Sequence, residues 1–265
     1  MRITYRYKDN KNYWQKRWDD ISADEPMQNK NVYPLKYAIS TTAMDKNGKI
    51  LEAGCGAGRI LRYYHNNGFK IKGFDFIKTA VNKLKDKDPS LDVEVGDITN
   101  MDFKDRSFDY ILCFGLYHNL EKNLEKAVLE THRVLRNGGK VCASFRADNL
   151  QTKLVDYLTE KKTNSSLKSK KKYFHKINLT KKEFCDLFTK NGFKINKVTA
   201  VENMPILYKF KFFRAKNHKN FDENIARSEG YRLSSLGSVL QKFMMYFFPD
   251  QFCNIYVLIA TKYGT

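Results

Sequence analysis

The stretch that decides the fold is Ile50–Ile60, which reads ILEAGCGAGRI. It places three glycines at alternate positions behind a short apolar run, with the acidic Glu52 just ahead of them. Glycine has no Cβ and reaches positive φ, so the backbone can turn sharply there and lie directly against a ligand. A helix predicted to follow the loop would turn its first N–H groups toward the same site. Glycine-rich turns are common, so the rest of the chain has to indicate the ligand.

Strand-like and helix-like segments alternate from about Lys49 to Phe145. Hydrophobic periodicity predicts a first strand at Lys49–Glu52 and a helix from about Arg59 to Asn66. Further strands are predicted at Lys70–Asp75, Asp92–Val95, Phe108–Phe114 and Lys140–Phe145. A second helix is predicted to end before Pro89. A third runs from about Asn123 to Leu135 and is ended by Gly138-Gly139. Strands that alternate with helices form a parallel sheet with helices on both faces. The predicted fold class is therefore α/β.

The pattern loosens after Phe145. Lys161–Lys182 holds nine lysines and no acid, which favours a mobile, solvated loop, with a polyanion site as the alternative. Thr180 to Glu183 reads as a capping box that opens a helix to about Lys190, and a strand is predicted at Phe193–Val201. A long aromatic and basic insertion then runs to a final apolar strand at Asn254–Lys262.

Composition limits the classes of protein further. The chain has 265 residues, 42% of them hydrophobic, which is enough for one domain with a sizeable insertion. Its formal net charge of +19 favours anionic partners, and a lysine-rich solvated surface explains the charge equally well. The five scattered cysteines form no CxxC pair, so no disulfide framework and no metal site are expected. With no secretory signal and no apolar run of about 18 residues, we expect a cytoplasmic protein without a membrane span.

Two acidic residues follow the glycine loop, each at the carboxyl end of a predicted strand. Asp75 ends the second predicted strand, about twenty residues beyond the first glycine, where a carboxylate can accept both hydroxyls of a ribose. Asp97, in VEVGDITN, comes just after the third strand, where it can accept from an exocyclic adenine amine while the Ile98 N–H donates to the ring. Ligands of open α/β sheets bind along this carboxyl edge. A dinucleotide loop of the GxGxxG type would need glycine in place of Arg59, so the combination points to a nucleoside of another kind.

On these residues the chain resembles the class I S-adenosylmethionine-dependent methyltransferases. LEAGCGAG is similar to their first motif, GFDF to their ribose-binding acid and VGDITNMDF to their adenine-binding turn. FDYILCFGLYHNL and HRVLRNGGKVCASF resemble their fourth strand and their helix, turn and fifth strand. The resemblance covers about Lys49 to Phe145 closely. It implies a Rossmann-like sheet of seven mostly parallel strands, with Asn254–Lys262 as the antiparallel last strand, helices on both faces and a lid insertion.

The same resemblance implies a division of the chain. Residues 1–265 would form a single methyltransferase domain with N-terminal lid helices at 1–46 and a core sheet at 47–147. Substrate and lid insertions would occupy residues 148–178 and 203–252, and the last strand residues 253–263.

The implied cofactor is S-adenosylmethionine, with S-adenosylhomocysteine as its product. The residues that correspond to the family's cofactor site are Glu52, Gly54, Cys55 and Gly56 for the methionine part, Asp75 for ribose, Phe76, Asp97 and Ile98 for adenine, and Phe114 and Gly115 near the sulfonium. Trp14 and Trp18, in YWQKRWDD, would close over the cofactor from one helix face. A pair of core aromatics at this spacing is the alternative for the two tryptophans.

The segment LYHNL, after the fourth strand, supplies the candidate catalytic residues. His118 is the candidate general base, with Tyr117 as a second catalytic candidate, because histidine accepts a proton near neutral pH. A histidine that only positions substrate or caps the next helix is the alternative. The candidate substrate-binding residues are Asn119, which neighbours His118, and the cations Arg146, Lys209 and Arg214. The three cations could bind a phosphate together; the alternative is that each is a solvated surface charge.

Motifs that are absent narrow the acceptor. The chain lacks the [DNS]PP[YFW] turn of enzymes that methylate exocyclic amines of DNA bases, and it lacks a Pro-Cys nucleophile. We therefore expect transfer to a hydroxyl, amine or acid oxygen of a small, anionic metabolite or sugar, phosphorylated or linked to a nucleotide. An RNA methyltransferase and a non-catalytic cofactor-binding partner protein remain as alternatives, and the protein is expected to be a monomer or a homodimer.

Overall fold

A computed structural model describes residues 1–7, 9–20, 25–164, 171–222 and 229–263. Within these ranges seven strands form the central sheet, in the spatial order β4-β3-β2-β5-β6-β9-β8. Their bounds are β2 Ile50–Ala53, β3 Ile71–Asp75, β4 Val93–Val95, β5 Phe108–Cys113, β6 Leu135–Arg146, β8 Phe193–Val201 and β9 Ile255–Lys262. The strand β9 runs antiparallel to both of its neighbours, and the pairs from β4 to β6 are parallel. The α/β class and the Rossmann-like sheet with an antiparallel last strand are therefore confirmed.

The helices surround this sheet. Their bounds are α1 Asn10–Asp20, α2 Leu35–Thr42, α3 Arg59–Asn66, α4 Lys78–Lys87, α5 Leu124–Val134, α6 Leu150–Asn164, α7 Lys181–Thr189, α8 Ser235–Phe247 and α9 Pro249–Phe252. The capping box at the start of α7 is present as predicted, because the Thr180 side chain accepts from the Glu183 N–H and the Glu183 carboxylate accepts from the Thr180 N–H. This reciprocal pair satisfies two N–H groups that a helix start leaves open.

Both faces of the sheet are covered by helices, and successive residues of each strand point to opposite faces. Leu51 and Ile111 belong to a core cluster on one face, which includes Phe184 and Phe188 of α7. Ile50 and Leu112 belong to a second cluster with residues of α2, α3 and α4. This two-sided burial explains why the strands are near-continuous apolar runs.

The strand β6 begins earlier than the sequence suggested. A turn was expected at Gly138-Gly139, whereas the strand extends back to Leu135. Phe108 pairs with Leu135 while Tyr110 pairs with Lys140, so β6 contains extra residues at this point. Gly138 has a φ of +74°, and the extra residues of β6 form a bulge there instead of the expected turn between the helix and the strand.

A second, two-stranded sheet was not predicted. β1 (Arg2–Arg6) pairs antiparallel with β7 (Tyr173–Asn178), although the sequence suggested a mobile loop throughout Lys161–Lys182. The register shifts where Thr4 faces Lys176 and Tyr5 faces Phe174, so that His175 is bulged. Residues 165–170 of the lysine-rich run lie outside the described residues.

Candidate functional site

A cavity of about 550 Å³ lies at the carboxyl ends of β2, β3 and β5, with α1 above it. Every residue assigned to the cofactor lines this cavity: Trp14, Trp18, Glu52, Gly54, Cys55, Gly56, Asp75, Phe76, Asp97, Ile98, Phe114 and Gly115. Asn119 lines it as well. The carboxyl ends of adjacent parallel strands meet at one sheet edge, which is why motifs separated along the chain converge here.

The loop after β2 is built from glycines in the left-handed conformation. Gly54, Gly56 and Gly58 have φ angles of +71°, +52° and +74°, which residues with a Cβ rarely adopt. The Gly54 and Cys55 N–H groups both donate to the Phe74 carbonyl, at 2.9 and 3.0 Å. These bonds hold the loop against β3. The loop therefore presents bare backbone to the cavity.

The helix α1 covers this loop with its tryptophans. Trp14 and Trp18 stack with their ring centroids 5.9 Å apart, and a Cβ on Gly56 would lie 2.8 Å from Trp18 Cζ2. Lys83 of α4 donates to the Trp18 carbonyl at 2.6 Å, so the helix is attached to the body of the domain. The absence of a side chain at Gly56 is what admits the indole ring.

Asp75 organises the loop at the end of β3. Its Oδ2 accepts from the Gly56 N–H at 2.9 Å and its Oδ1 accepts from the Ile77 N–H at 2.9 Å. Burial raises the pKa of this carboxyl, and its bonds to backbone N–H groups oppose that rise. Each carboxylate oxygen has a further lone pair, so both oxygens can also accept from vicinal hydroxyls.

Glu52 is the most deeply buried acid of the site. It is 6% exposed, and within the described residues its Oε2 has no hydrogen-bond partner. Burial raises the pKa of the carboxyl to about 8, against the smaller opposing effects of the Leu61 N–H and the Arg59 charge. A buried polar atom is normally hydrogen-bonded, so this oxygen fits a ligand that brings a cationic donor, such as an amino-acid ammonium group.

The far end of the cavity has the features that suit a purine. Phe76 lines the cavity and is 55% exposed. Asp97 Oδ1 accepts from the Thr99 N–H at 2.8 Å and from the Thr99 hydroxyl at 2.9 Å. Ile98, by contrast, is buried. The turn after β4 thus places a carboxylate and a backbone segment at the same end of the cavity as an aromatic ring.

The opposite end is closed by the segment after β5. The Gly115 N–H donates to Ser144 Oγ at 2.9 Å, and the Tyr33 hydroxyl bonds the same oxygen at 2.9 Å. Asn119 Nδ2 donates to the Gly115 carbonyl at 2.7 Å. Tyr33 also meets the edge of Phe114, with centroids 5.7 Å apart. These bonds fix the wall where the reacting end of a ligand would lie.

His118 lies directly behind that wall. Its Cε1 is 3.9 Å from the position that a Cβ on Gly115 would take. The imidazole is 7% exposed, and its Nδ1 has no hydrogen-bond partner among the described residues. Burial lowers its pKa well below 6.5, and the charges of Arg146 and Lys176 lower it further. His118 is therefore neutral at pH 7, a state in which histidine can accept a proton.

His118 belongs to a basic cluster that also contains Arg146, His175 and Lys176. Arg146 stands at the carboxyl end of β6, and its Nε is buried without a hydrogen-bond partner among the described residues. Lys176 forms an ion pair with Asp156 of α6 at 3.0 Å, yet burial and the neighbouring Arg146 lower its pKa to about 8. Burial also lowers the pKa of His175 to about 3, with Lys176 contributing. Burial is the main cause of these lowered pKa values, and the positive charges of the cluster lower them further.

The small sheet delivers two members of the basic cluster. β7 carries His175 and Lys176 and is held by its ladder to β1. Arg2 of β1 donates to Asp156 at 2.8 Å and to Asp148 at 2.6 Å. The pairing of two segments at opposite ends of the chain thus completes the cluster.

Five residues proposed from the sequence are not among those that line the cavity: His118 and Arg146, which lie behind its wall, and Tyr117, Lys209 and Arg214. Tyr117 is fully buried, and its hydroxyl bonds Thr131 of α5 at 2.7 Å, so its phenol faces the core. Arg214 donates to the carbonyl of Tyr208 at 2.7 Å and lies over that ring, where it stabilises the insertion. Lys209 is exposed to solvent. Neither of these two cations reaches the basic cluster through any contact that the structure describes.

Sequence reasoning missed several residues that the fold brings to the site. Arg59 and Pro34 line the cavity, Tyr33 bonds Ser144 beside its wall, and His175 and Lys176 belong to the basic cluster around His118. Arg59 was noted as the residue that breaks a dinucleotide motif, and its position at the start of α3 beside Glu52 was a signal for a further role. His175 and Lys176 had no such signal, because their place depends on pairing with β1.

The described residues contain no group of three or more His, Cys, Asp or Glu side chains arranged to hold a metal ion. No helix in the described ranges combines the length and the apolar character needed to cross a bilayer. The five cysteines are free thiols. Burial raises the pKa of Cys55 well above its usual value, so this thiol in the glycine loop is not activated.

Comparison with known proteins agrees with this geometry. Residues 51–143 match the family model described as a methyltransferase domain. The demethylmenaquinone methyltransferase of Staphylococcus epidermidis is 36% identical over 113 residues, which are 40% of this chain and 46% of that relative. The chain thus spans less than half the length of this relative.

Solved structures match over a longer range. A SAM-dependent methyltransferase of Methanosarcina mazei superposes with a TM-score of 0.58 at 17% identity, covering 88% of this chain and 99% of its own. Phosphoethanolamine N-methyltransferase 2 of Haemonchus contortus, solved with S-adenosyl-L-methionine, superposes with a TM-score of 0.56 at 19% identity, covering 87% of this chain and 52% of its own. At these identities the likeness establishes the fold.

Proposed function

We propose that the protein is an S-adenosylmethionine-dependent methyltransferase that methylates a small, anionic metabolite, because residues 51–143 match a family model described as a methyltransferase domain and the cavity has the features that this cofactor needs. The acceptor atom would be a hydroxyl, amine or acid oxygen of a phosphorylated, nucleotide-linked or carboxylated compound. The cytoplasm is the proposed location. The proposal rests on one observation: a single cavity is lined by the glycine loop and by a buried carboxyl whose Oε2 has no hydrogen-bond partner among the described residues, and His118 with its basic cluster lies directly behind one wall of that cavity.

The residues present fit the cofactor. Glu52 would hold the ammonium group against the glycine loop, and Asp75 would accept the ribose hydroxyls while it keeps Gly56 in place. Phe76 would stack on the adenine, with Asp97 and the Ile98 N–H at its polar edge. When bound, the cofactor supplies an electrophilic methyl group on a sulfonium, so the protein does not need to generate an electrophile.

The chain itself would orient the acceptor, exclude water and move a proton. Trp14 and Trp18 cover the cavity from α1 and would keep water from the reacting atoms. His118, neutral at pH 7, would accept the proton of a hydroxyl or ammonium acceptor on its ring nitrogen. The wall formed by Phe114 and Gly115 would set the line of approach.

The basic cluster supports the anionic nature of the acceptor. Arg146 and Lys176 share a buried region with two imidazoles, and Asp156 balances part of this charge through its ion pairs with Lys176 and Arg2. A buried positive charge without a full set of partners is costly. A carboxylate or phosphate on the acceptor would supply the missing partner for Arg146 Nε, with the geometry that a guanidinium prefers.

Two alternatives make different predictions. An RNA methyltransferase would bind RNA with an affinity that falls steeply with salt. A cofactor-binding partner protein without activity would bind S-adenosylhomocysteine and transfer no methyl group. The basic cluster favours a small acceptor, because its cations lie in a buried pocket and a nucleic-acid site presents them along an open surface.

The test begins with calorimetric titration of the full chain with S-adenosylhomocysteine. Transfer of labelled methyl groups from S-adenosylmethionine is then measured on matched acceptor pairs, each a carboxylated or phosphorylated metabolite and its uncharged analogue. We expect cofactor binding and a clear preference for the charged member of a pair. Binding with transfer only to uncharged acceptors would overturn the anionic class, and failure to bind either form of the cofactor would overturn the function itself.

A further inference from the structure

The helix α8 turns an apolar surface toward solvent. We define the aromatic face as Phe210, Phe212, Val239, Phe243, Tyr246 and Phe247. Tyr246 is 80% exposed, Phe212 75% and Val239 67%, and the remaining three are each more than half exposed. Scattered exposed apolar residues are ordinary, whereas a patch on one helix face marks an interaction surface. Val239, Phe243, Tyr246 and Phe247 have the spacing of one helix face, the Phe247 ring contacts Phe243 and Tyr246, and Phe210 and Phe212 contact Phe213 in the turn beside the helix.

The orientation of α8 is fixed by close packing. The helix turns Gly237 inward, where a Cβ would lie 2.8 Å from the Phe213 carbonyl oxygen. The Ser234 N–H donates to that same oxygen at 2.8 Å, and the Ser234 hydroxyl caps the helix by accepting from the Gly237 N–H. Gln241 is the other buried position of the helix. A polar residue thus faces inward and the aromatic rings face outward, in a helix that its cap and its contact glycine hold in place.

Lysines are interleaved with these rings. Lys209 and Lys211 flank Phe210 in the stretch KFKFFR, and Lys242 precedes Phe243; all three lysines are exposed. The insertion from residue 203 to residue 252 carries eight basic and four acidic residues, within a chain of net charge +19. The aromatic face is therefore bordered by positive charge.

We propose that the aromatic face docks on the surface of an anionic lipid bilayer. Aromatic rings next to lysines suit the boundary between headgroups and acyl chains, where the rings enter and the ammonium groups stay among the phosphates. A second copy of the chain would bring a surface of the same charge against Lys209, Lys211 and Lys242, which disfavours self-association through this face. The docking is peripheral, because the 13 residues of α8 fall short of the roughly 20 needed to span a bilayer. It does not depend on methyl transfer.

Co-sedimentation with vesicles tests the proposal. The full chain is mixed with vesicles of phosphatidylcholine alone and with vesicles that contain phosphatidylcholine and phosphatidylglycerol in equal amounts. We expect binding to the anionic vesicles at least about tenfold stronger than to the neutral ones, and a decrease with added salt, since each lysine near the surface contributes about fivefold. Equal binding to both vesicles, or binding to neither, would overturn the proposal.

Matched variants separate the two parts of the surface. The double variant Phe243→Ser/Tyr246→Ser should lose at least about tenfold in vesicle binding, whereas Leu129→Ser, an exposed apolar residue on α5, should bind like the parent chain. Lys209→Glu/Lys211→Glu should lose at least about 25-fold on anionic vesicles, and Lys85→Glu on α4 should change little. All these side chains are exposed, and thermal unfolding confirms that each variant is folded.

Light scattering without lipid gives the competing outcome. The parent chain should be a monomer at the concentrations used for sedimentation, or a dimer that Phe243→Ser/Tyr246→Ser leaves intact. A parent chain that is a dimer, and that Phe243→Ser/Tyr246→Ser converts to a monomer, would assign the aromatic face to self-association. The lipid surface would be rejected if, in addition, the parent chain sediments equally well without vesicles.

Discussion

The two ends of the cavity are built in different ways. The cofactor end comes mainly from one continuous stretch between β2 and the segment after β5, and its central feature is backbone: positive φ angles, N–H groups and no Cβ atoms. The proposed acceptor site behind the opposite wall comes from side chains on separate segments, with His118 after β5, Arg146 at the end of β6 and Lys176 on β7. Backbone geometry constrains sequence locally, while a side-chain cluster leaves its members free to come from anywhere in the chain.

The comparison also separates two kinds of electrostatics. At the cofactor end Glu52 and Asp75 are buried carboxyls whose pKa values are raised, which suits a cationic ligand group. At the acceptor end burial lowers the pKa values of His118 and Lys176, which suits an anion. Buried acids thus lie on one side of the wall formed by Phe114 and Gly115, and buried basic groups lie behind it, as the proposed function requires.

The largest effect should come from the backbone-organising carboxylate. Asp75→Ala removes the acceptor of the Gly56 and Ile77 N–H groups and the proposed acceptor of the ribose hydroxyls. Because a charge-assisted hydrogen bond contributes about 1.5–3 kcal/mol, the affinity for S-adenosylhomocysteine should fall at least about 100-fold by calorimetry. Asp92→Ala, which removes a surface partner of Lys72 at the opposite end of the neighbouring strand, is the matched control. Equal affinities in the two variants would remove Asp75 from the site.

The second effect tests the other end. Arg146→Gln should raise the KM for an anionic acceptor about 30-fold, because an ionic hydrogen bond is lost, while cofactor affinity stays within about twofold of the parent value. Arg136→Gln, on the exposed start of the same strand and paired with Asp109, should leave both quantities unchanged. A change in cofactor affinity equal to the change in KM would mean that the two ends are not separable.

The third effect distinguishes space from strain at the cofactor end. Gly56→Ala and Gly138→Ala both place a Cβ on a left-handed residue, at a cost of about 1–2 kcal/mol. A Cβ on Gly56 would also meet Trp18, whereas none of the described atoms lies within 4 Å of one on Gly138. Both variants should therefore lower the unfolding temperature, Gly56→Ala more than Gly138→Ala, and Gly56→Ala alone should weaken S-adenosylhomocysteine binding, by about tenfold. Weakening of the same size in both variants would point to global destabilisation.

The same contrast explains how far the sequence could be interpreted. The strand at Phe193–Val201 and the helix at Arg59–Asn66 have the predicted bounds, because hydrophobic period and glycine punctuation are local properties. The bulge in β6 was missed, since Gly138-Gly139 has the same composition in a bulge as in a turn. The residues assigned to the cofactor all line one cavity, because all but the two tryptophans of α1 lie at or just after the carboxyl ends of neighbouring strands.

The acceptor end could not be predicted in this way. β7 lies in a lysine-rich stretch whose composition is typical of a solvated loop, and its order depends on a ladder with β1, more than 160 residues away. Tyr117 was proposed as catalytic because it precedes His118, but the short 3-10 turn that contains both points the phenol into the core, where Thr131 takes its hydroxyl. Adjacent residues of a turn face different directions, and sequence spacing alone does not say which one faces the ligand.

The smallest effect concerns the pH dependence of cofactor binding. The Glu52 carboxyl has a pKa of about 8 in the folded chain instead of its ordinary 4.5, so it is largely protonated at pH 7. An ammonium group beside Oε2 favours the carboxylate, and binding therefore releases a proton. One released proton raises the affinity for S-adenosylhomocysteine about fivefold between pH 7 and pH 8. Calorimetry in two buffers of different ionisation enthalpy measures both the affinity and the number of protons released.

The Glu52 carboxyl also links pH to the stability of the chain without ligand. The folded chain holds a proton on Glu52 that the unfolded chain has lost, so the free energy of unfolding declines as pH rises from about 4.5 to 8. Glu52→Gln should abolish both trends, while Glu94→Gln, an acid on the neighbouring β4 that pairs with Lys72, should retain them; an unchanged pH dependence in Glu52→Gln would place the linked proton elsewhere.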